Sequence, residues 1–219
     1  YFGNLSICMV ITTLIIAAFM AAIPAPADGV ETFSTNKKAS DGVNDEYDFE
    51  AYMDSTGVVH TVWTDSRGSK AAVYYSKYSS GDFVQPSVQI ANSPGNQTNP
   101  DLCVDSSGDI YVVWIDDFFD VNGNLQFSKS TDGGSSFSIP QRVCDVSNPN
   151  DNKMAKNPTI DCKADGSRLY LVWEDFKDGY QLAYDYSTDG GTTWQTDLYA
   201  VYEDNFQKDA DMVVSGNTA

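Results

Sequence analysis

Two eight-residue stretches of this chain are near copies of each other. Ser130-Thr131-Asp132-Gly133-Gly134-Ser135-Ser136-Phe137 and Ser187-Thr188-Asp189-Gly190-Gly191-Thr192-Thr193-Trp194 both read Ser-x-Asp-x-Gly-x-Ser/Thr-aromatic, starting 57 residues apart. Recurrence at that spacing points to copies of one supersecondary unit rather than a single core. A second motif shares the period. Val59-His60-Thr61-Val62-Trp63-Thr64-Asp65 matches Ile110-Tyr111-Val112-Val113-Trp114-Ile115-Asp116 and Leu169-Tyr170-Leu171-Val172-Trp173-Glu174-Asp175.

These β-branched and aromatic runs, bounded by turn residues, predict buried strands. Each unit is written as four strands. Strand A (Phe49 to Met53, Leu102 to Val104, Ile160 to Cys162) leads through an Asp/Gly turn to strand B, which carries the tryptophan. A variable loop leads to strand C (Ala72 to Ser76, Leu125 to Ser130, Gln181 to Ser187). The Ser-x-Asp box then turns C into D (Phe83 to Ile90, Phe137 to Cys144, Trp194 to Tyr202). The first unit carries a decayed box, with Ser76 and Phe83 at its ends and Tyr78 in place of the aspartate. Four antiparallel strands recurring in this way describe a propeller blade. The expected fold is all-β, with blades at about 46–92, 99–146 and 157–204 and a fourth beginning near 209.

The boxes resemble the Asp-box, or bacterial neuraminidase repeat, of the sialidase-like propeller superfamily, and the resemblance covers residues 46–219. It implies a closed ring of six blades, of which this chain would hold three and the start of a fourth. The chain opens at Tyr1 and stops in mid-pattern at Ser215-Gly216-Asn217-Thr218-Ala219, which reads as a piece cut at both ends.

Residues 1–27 read as a secretory signal peptide: an uncharged apolar run from Ile7 to Ile23, then the small-x-small site Ala25-Pro26-Ala27. An uncleaved N-terminal membrane anchor is the alternative, and the only membrane association expected. Residues 28–45 form a polar linker. Net charge is −18, and aspartate outnumbers glutamate 26 to 5. Aspartate favours turns and caps, so the imbalance fits a turn-rich β protein. Such a surface repels nucleic acid. The expected location is extracellular, with a glycan or an extracellular protein as partner.

The box has a local structural job. Asp132 and Asp189 are expected to accept turn amides, as in an Asx-turn. Gly134 and Gly191 supply positive φ, Ser130 and Ser187 bond further backbone groups, and Phe137 and Trp194 pack beneath. Trp63, Trp114 and Trp173 are expected in the core between blades.

Antiparallel connectivity puts the A–B turns and boxes on one face and the variable B–C and D–A loops on the other, where binding sites belong. The B–C loops contribute Asp65, Asp116, Asp117, Phe118, Phe119, Asp175 and Phe176. Two readings stand for the aspartates: caps on strand B, or ligands for a cation or sugar hydroxyls. The aromatics are either stacking platforms or covers for blade edges. Asp120-Val121-Asn122-Gly123-Asn124 partly matches a calcium loop but lacks its full ligand series. No cofactor is expected; a bound calcium ion is the alternative, with its ligands unassigned.

Cys103 and Cys162 each lie 11 residues before a repeat tryptophan, so they are expected at equivalent positions that do not meet. Asn96-Gln97-Thr98 is a glycosylation acceptor sequence on an expected loop. Superfamily enzymes clamp substrate with three arginines and use a tyrosine nucleophile, unlike most glycosidases. Here Arg67 sits in a B–C loop, Arg142 in an outer strand and Arg168 after an A–B turn, so they do not converge. The leading expectation is therefore a non-catalytic binding module. The alternatives are a glycoside hydrolase of the sialidase type and a purely structural surface module.

Overall fold

The computed structural model describes residues 37–42, 45–79, 81–84, 86–118, 123–143, 155–176, 181–201 and 210–214. The expected signal segment, Phe119, Asp120 and Cys144 lie outside the described residues. Residues 1–38 and 39–219 form two separate units; the second carries the sheets. Among the described residues there is no helix.

The first sheet comprises β1 (Glu46–Met53), β2 (Val59–Asp65), β3 (Ala72–Ser79), β4 (Asp82–Phe83) and β5 (Val88–Gln89). The second comprises β6 (Gln97–Val104), β7 (Ile110–Asp116), β8 (Asn124–Ser130) and β9 (Gln141–Arg142). The third comprises β10 (Ala155–Cys162), β11 (Leu169–Asp175), β12 (Gln181–Ser187) and β13 (Leu198–Val201). Each is an antiparallel meander in sequence order, save that β4 and β5 both pair with β3.

The second strands β2, β7 and β11 are central, and β7 is buried at every position, which explains its near-continuous apolar sequence; in β11 Tyr170 and Val172 are only half-buried. Val62, Val73 and Tyr75 of the first sheet meet Leu102, Val104, Ile110, Val112 and Trp114 of the second in one core. The opposite face of β7, with Val113 and Ile115, meets Leu169, Leu171 and Trp173 of the third sheet in another. Trp63, Trp114 and Trp173 are all buried.

The fourth strands are shorter than expected. The run expected over Phe83 to Ile90 is broken into β4 and β5, and the one from Phe137 begins only at Gln141. Outermost strands pack on one side only, so little in their sequence has to be regular. The first strands are longer than expected because each contains a bulge, between Tyr47 and Glu50, Thr98 and Asp101, and Lys156 and Thr159. Asp48, Asn99 and Asn157 sit there with φ of 50°, 51° and 46°. Asp and Asn are the non-glycine residues that best tolerate this left-handed conformation. Pro100 and Pro158 follow, at a bulge where a strand tolerates a missing amide.

Both intact boxes close as turns of one geometry. Asp132 accepts the Ser136 amide and hydroxyl at 2.9 and 2.6 Å, and Asp189 accepts those of Thr193 at 2.8 and 2.7 Å. Ser130 and Ser187 accept the Gly134 and Gly191 amides at 2.9 and 2.8 Å. These bonds hold both aspartates at a pKa of about 2. The boxes also reach beyond their own sheets. Phe137 meets Tyr75 of the preceding sheet edge-on at 5.4 Å, and Trp194 meets Phe127 at 5.2 Å. A Cβ on Gly134 would overlap the Tyr75 ring, and one on Gly191 the Phe127 ring.

The decayed box has a different register from the expected one. Val59 pairs with Tyr78 as Ile110 pairs with Ser130 and Leu169 with Ser187. Tyr78, not Ser76, therefore holds the first box position. Ser76 is the counterpart of Ser128, and each donates to a main-chain oxygen of the fourth segment at 2.7 Å.

Candidate functional site

The bulged ends of β1, β6 and β10 lie beside one another across the three sheets. Asp48 Oδ2 accepts the Asn99 amide at 3.1 Å, and the Asn99 side-chain amide donates to Asn157 at 3.3 Å. Asp101 Oδ2 accepts the Ile160 amide at 2.8 Å and the Thr159 hydroxyl at 2.9 Å. Together with residues 210–213 these strands line a cavity of about 700 Å³.

The cavity is acidic. Asp48, Glu50, Asp101, Asp161 and Asp211 line it, and no arginine or lysine does among the described residues. Burial, with repulsion from Asp101, Asp211 and Asp48, raises the pKa of Glu50 to about 7. Glu50 remains open to water in the cavity, and solvent screening tempers that shift. Burial likewise raises Asp101 to about 6, even though the Ile160 amide, Thr159 and the Leu102 amide pull it down. Raised carboxyl groups gathered in a concave site are a functional signature.

The B–C loop residues are placed differently. Asp65 is fully buried; it accepts the Arg67 amide at 2.7 Å and pairs with Arg67 Nη2 at 2.6 Å. Asp116 is buried and accepts the Phe118 amide at 2.9 Å and the Ser93 hydroxyl at 3.1 Å. These are cap geometries. Asp175 is buried too. Asp117 takes the Asn96 amide and side chain at 2.6 and 2.8 Å, so the expected glycosylation asparagine is already bonded. Phe118 is 48% exposed. Phe176 lies under the Lys156 ammonium, 5.0 Å from the ring centroid.

Arg67 is further committed to Asp41 at 2.7 Å and to the Tyr74 ring at 4.0 Å. His60, the only histidine, is buried between Tyr75 and Asp54 at 2.8 and 3.2 Å, and burial lowers its pKa. It serves packing.

The candidate residues offered by the sequence, on the B–C loops, do not include Asp48, Glu50, Asp101 or Asp211. The available signal was an Asp or Asn at two of the three bulges with an acid two residues later, Asp48-Phe49-Glu50 and Asn99-Pro100-Asp101.

No family model matches this chain, and no curated protein matches it in sequence. Solved structures match its fold. The leech intramolecular trans-sialidase complexed with 2,7-anhydro-Neu5Ac is 12% identical over 80% of this chain and 47% of its own, with a TM-score of 0.59. The Hadza microbial sialidase Hz136 is 15% identical over 68% and 36%, at 0.53. The Penicillium chrysogenum α-L-arabinanase complexed with arabinobiose is 11% identical over 72% and 50%, at 0.52. The sheets of this chain are thus blades of the sialidase-like β-propeller fold. The chain spans half or less of the length of these three structures.

Proposed function

We propose that this chain belongs to an exported glycoside hydrolase acting on a neutral glycan, with the acidic cavity as its sugar site. The observation that carries this is the gathering of Asp48, Glu50, Asp101, Asp161 and Asp211 around one cavity, where burial and mutual repulsion raise Glu50 and Asp101. A carboxyl group still protonated near neutral pH can donate a proton to a glycosidic oxygen, and a second carboxyl beside it can serve as base or charge stabiliser. The trans-sialidase, sialidase and arabinanase among the similar folds support a glycan-processing reading. The sign of the cavity separates their substrates. A ring of carboxyl groups with no cationic residue among its described lining repels a sialic acid carboxylate and suits neutral hydroxyls.

A second reading is a non-catalytic glycan-binding module that uses the B–C loop face. The 48% exposed Phe118 favours it, as a flat apolar platform.

The test is hydrolysis of nitrophenyl glycosides of neutral pentoses and hexoses, beside a sialoside, by the whole protein. Neutral glycosides should be cleaved, and Glu50→Gln or Asp101→Asn should lower kcat at least about a hundredfold, the lower end of the usual general-acid contribution. Cleavage of the sialoside alone, or full activity in both variants, would overturn the proposal. Binding without turnover, abolished by Phe118→Ala, would favour the second reading.

A further inference from the structure

The two cysteines do not occupy equivalent positions. Cys103 pairs with Tyr111, whereas Cys162 pairs with Leu169, the counterpart of Ile110. The cause is the turn after β10. Lys163 N bonds Arg168 O, where Asp105 N bonds Asp109 O one residue sooner. The extra residue shifts the register by one and turns Cys162 to the opposite face. Cys103 and Cys162 therefore point into the same core from neighbouring sheets, with their sulfur atoms within 4.8 Å of one another.

We propose that Cys103 and Cys162 form a disulfide that joins the second and third sheets, made by exchange with a small-molecule disulfide. The strands already hold the two residues in place. The Ile160 amide bonds Asp101 on one side of the pair, and the Ser106 amide bonds the Ala164 carbonyl at 2.7 Å on the other. Side-chain rotation is what remains to bring the sulfurs to about 2.05 Å.

Access is one-sided. Cys162 lines a cavity of about 230 Å³ with Tyr52, Asp105 and Asp161. Cys103 is fully buried, and burial keeps its thiol protonated. Cys162 thiolate therefore attacks the small disulfide first, releasing one small thiol and leaving a mixed disulfide. Cys103 sulfur then attacks the Cys162 sulfur and expels the second small thiol, which takes up the proton. One small disulfide is reduced to two thiols while two protein thiols become one disulfide.

A metal site is the competing use of this cluster, since Asp161 is its third member. Asp161 is already occupied, however, accepting the Cys162 amide at 2.7 Å and the Val214 amide at 2.6 Å. Two sulfurs fall short of the four ligands of a structural zinc site.

The test is a peptide map of the full chain, incubated with oxidised glutathione, alkylated while unfolded and digested without reductant. The expected product is one cross-linked peptide pair containing Cys103 and Cys162, and reductant should lower the Tm of the oxidised protein. Cys103→Ser and Cys162→Ser should abolish that reductant effect. If either variant fails to fold, the peptide map of the unaltered chain still decides. Alkylation of both cysteines after incubation, linkage of either to Cys144, or stoichiometric zinc retained with both thiols reduced would overturn the proposal. Each outcome is independent of whether the acidic cavity processes a glycan.

Discussion

Lys129 Nζ donates a 3.0 Å hydrogen bond to the Gly190 carbonyl in the box of the following sheet. Lys77 does the same to Gly133 at 2.7 Å. The box is thus a clamp between blades as well as a turn. The lysine and the aromatic two residues before it, Phe127 or Tyr75, grip the turn from one strand.

That clamp predicts an order of damage. Gly191→Ala forces an L-residue to φ 80° and drives its methyl into the Phe127 ring. Overpacking alone costs about 1–3 kcal/mol, and positive φ adds about 1–2 kcal/mol. Lys129→Met keeps the stem and loses one hydrogen bond, worth about 1 kcal/mol. Denaturant titration should rank Gly191→Ala as clearly worse; the reverse order would assign the clamp to the ammonium.

The acidic cavity predicts a stability slope. Glu50 rises from 4.5 to about 7 and Asp101 from 3.8 to about 6, so the folded state binds more protons than the unfolded chain between those values. Their contribution is fully present below pH 4 and is lost as pH rises through 6 and 7. Tm measured from pH 4 to 8 should fall across that range. Glu50→Gln should flatten the fall and raise Tm at pH 8. An unchanged slope would refute the assigned protonation.

The box aspartates act in the opposite sense. Held at about 2 against 3.8, Asp132 and Asp189 contribute above pH 4 and lose that contribution as pH falls towards 2. Asp189→Asn should lower Tm at pH 7 and narrow the gap to the unaltered protein at pH 2.5. A gap that stays constant with pH would mean the charge is irrelevant to the turn.

Phe118→Ala separates the loop face from the core. The ring is half exposed, so thermal stability should change by less than about 0.5 kcal/mol. A larger loss in calorimetry would show Phe118 to be an edge cover, not a platform.

The second strands were legible because burial on both faces leaves the sequence little choice, as in Ile110 to Ile115. The boxes were legible because their turn needs a serine, an aspartate and a glycine at fixed places. Cys162 was misplaced because counting back from Trp173 ignores the extra residue between Lys163 and Arg168. Glu50 was missed because a lone acid in a strand says nothing until Asp101 and Asp211 approach it from other segments.

The box always closes backwards: Phe137 and Gly134 cover Tyr75, and Trp194 and Gly191 cover Phe127. During synthesis a sheet therefore leaves the ribosome with its aromatic uncovered and is finished only when the next box has been made. Tyr184 holds the same register position in β12. Assembly would then have a direction, from the N-terminus onward, with the leading sheet's apolar face, Val62 and Val73 beside Tyr75, open until the next unit is made.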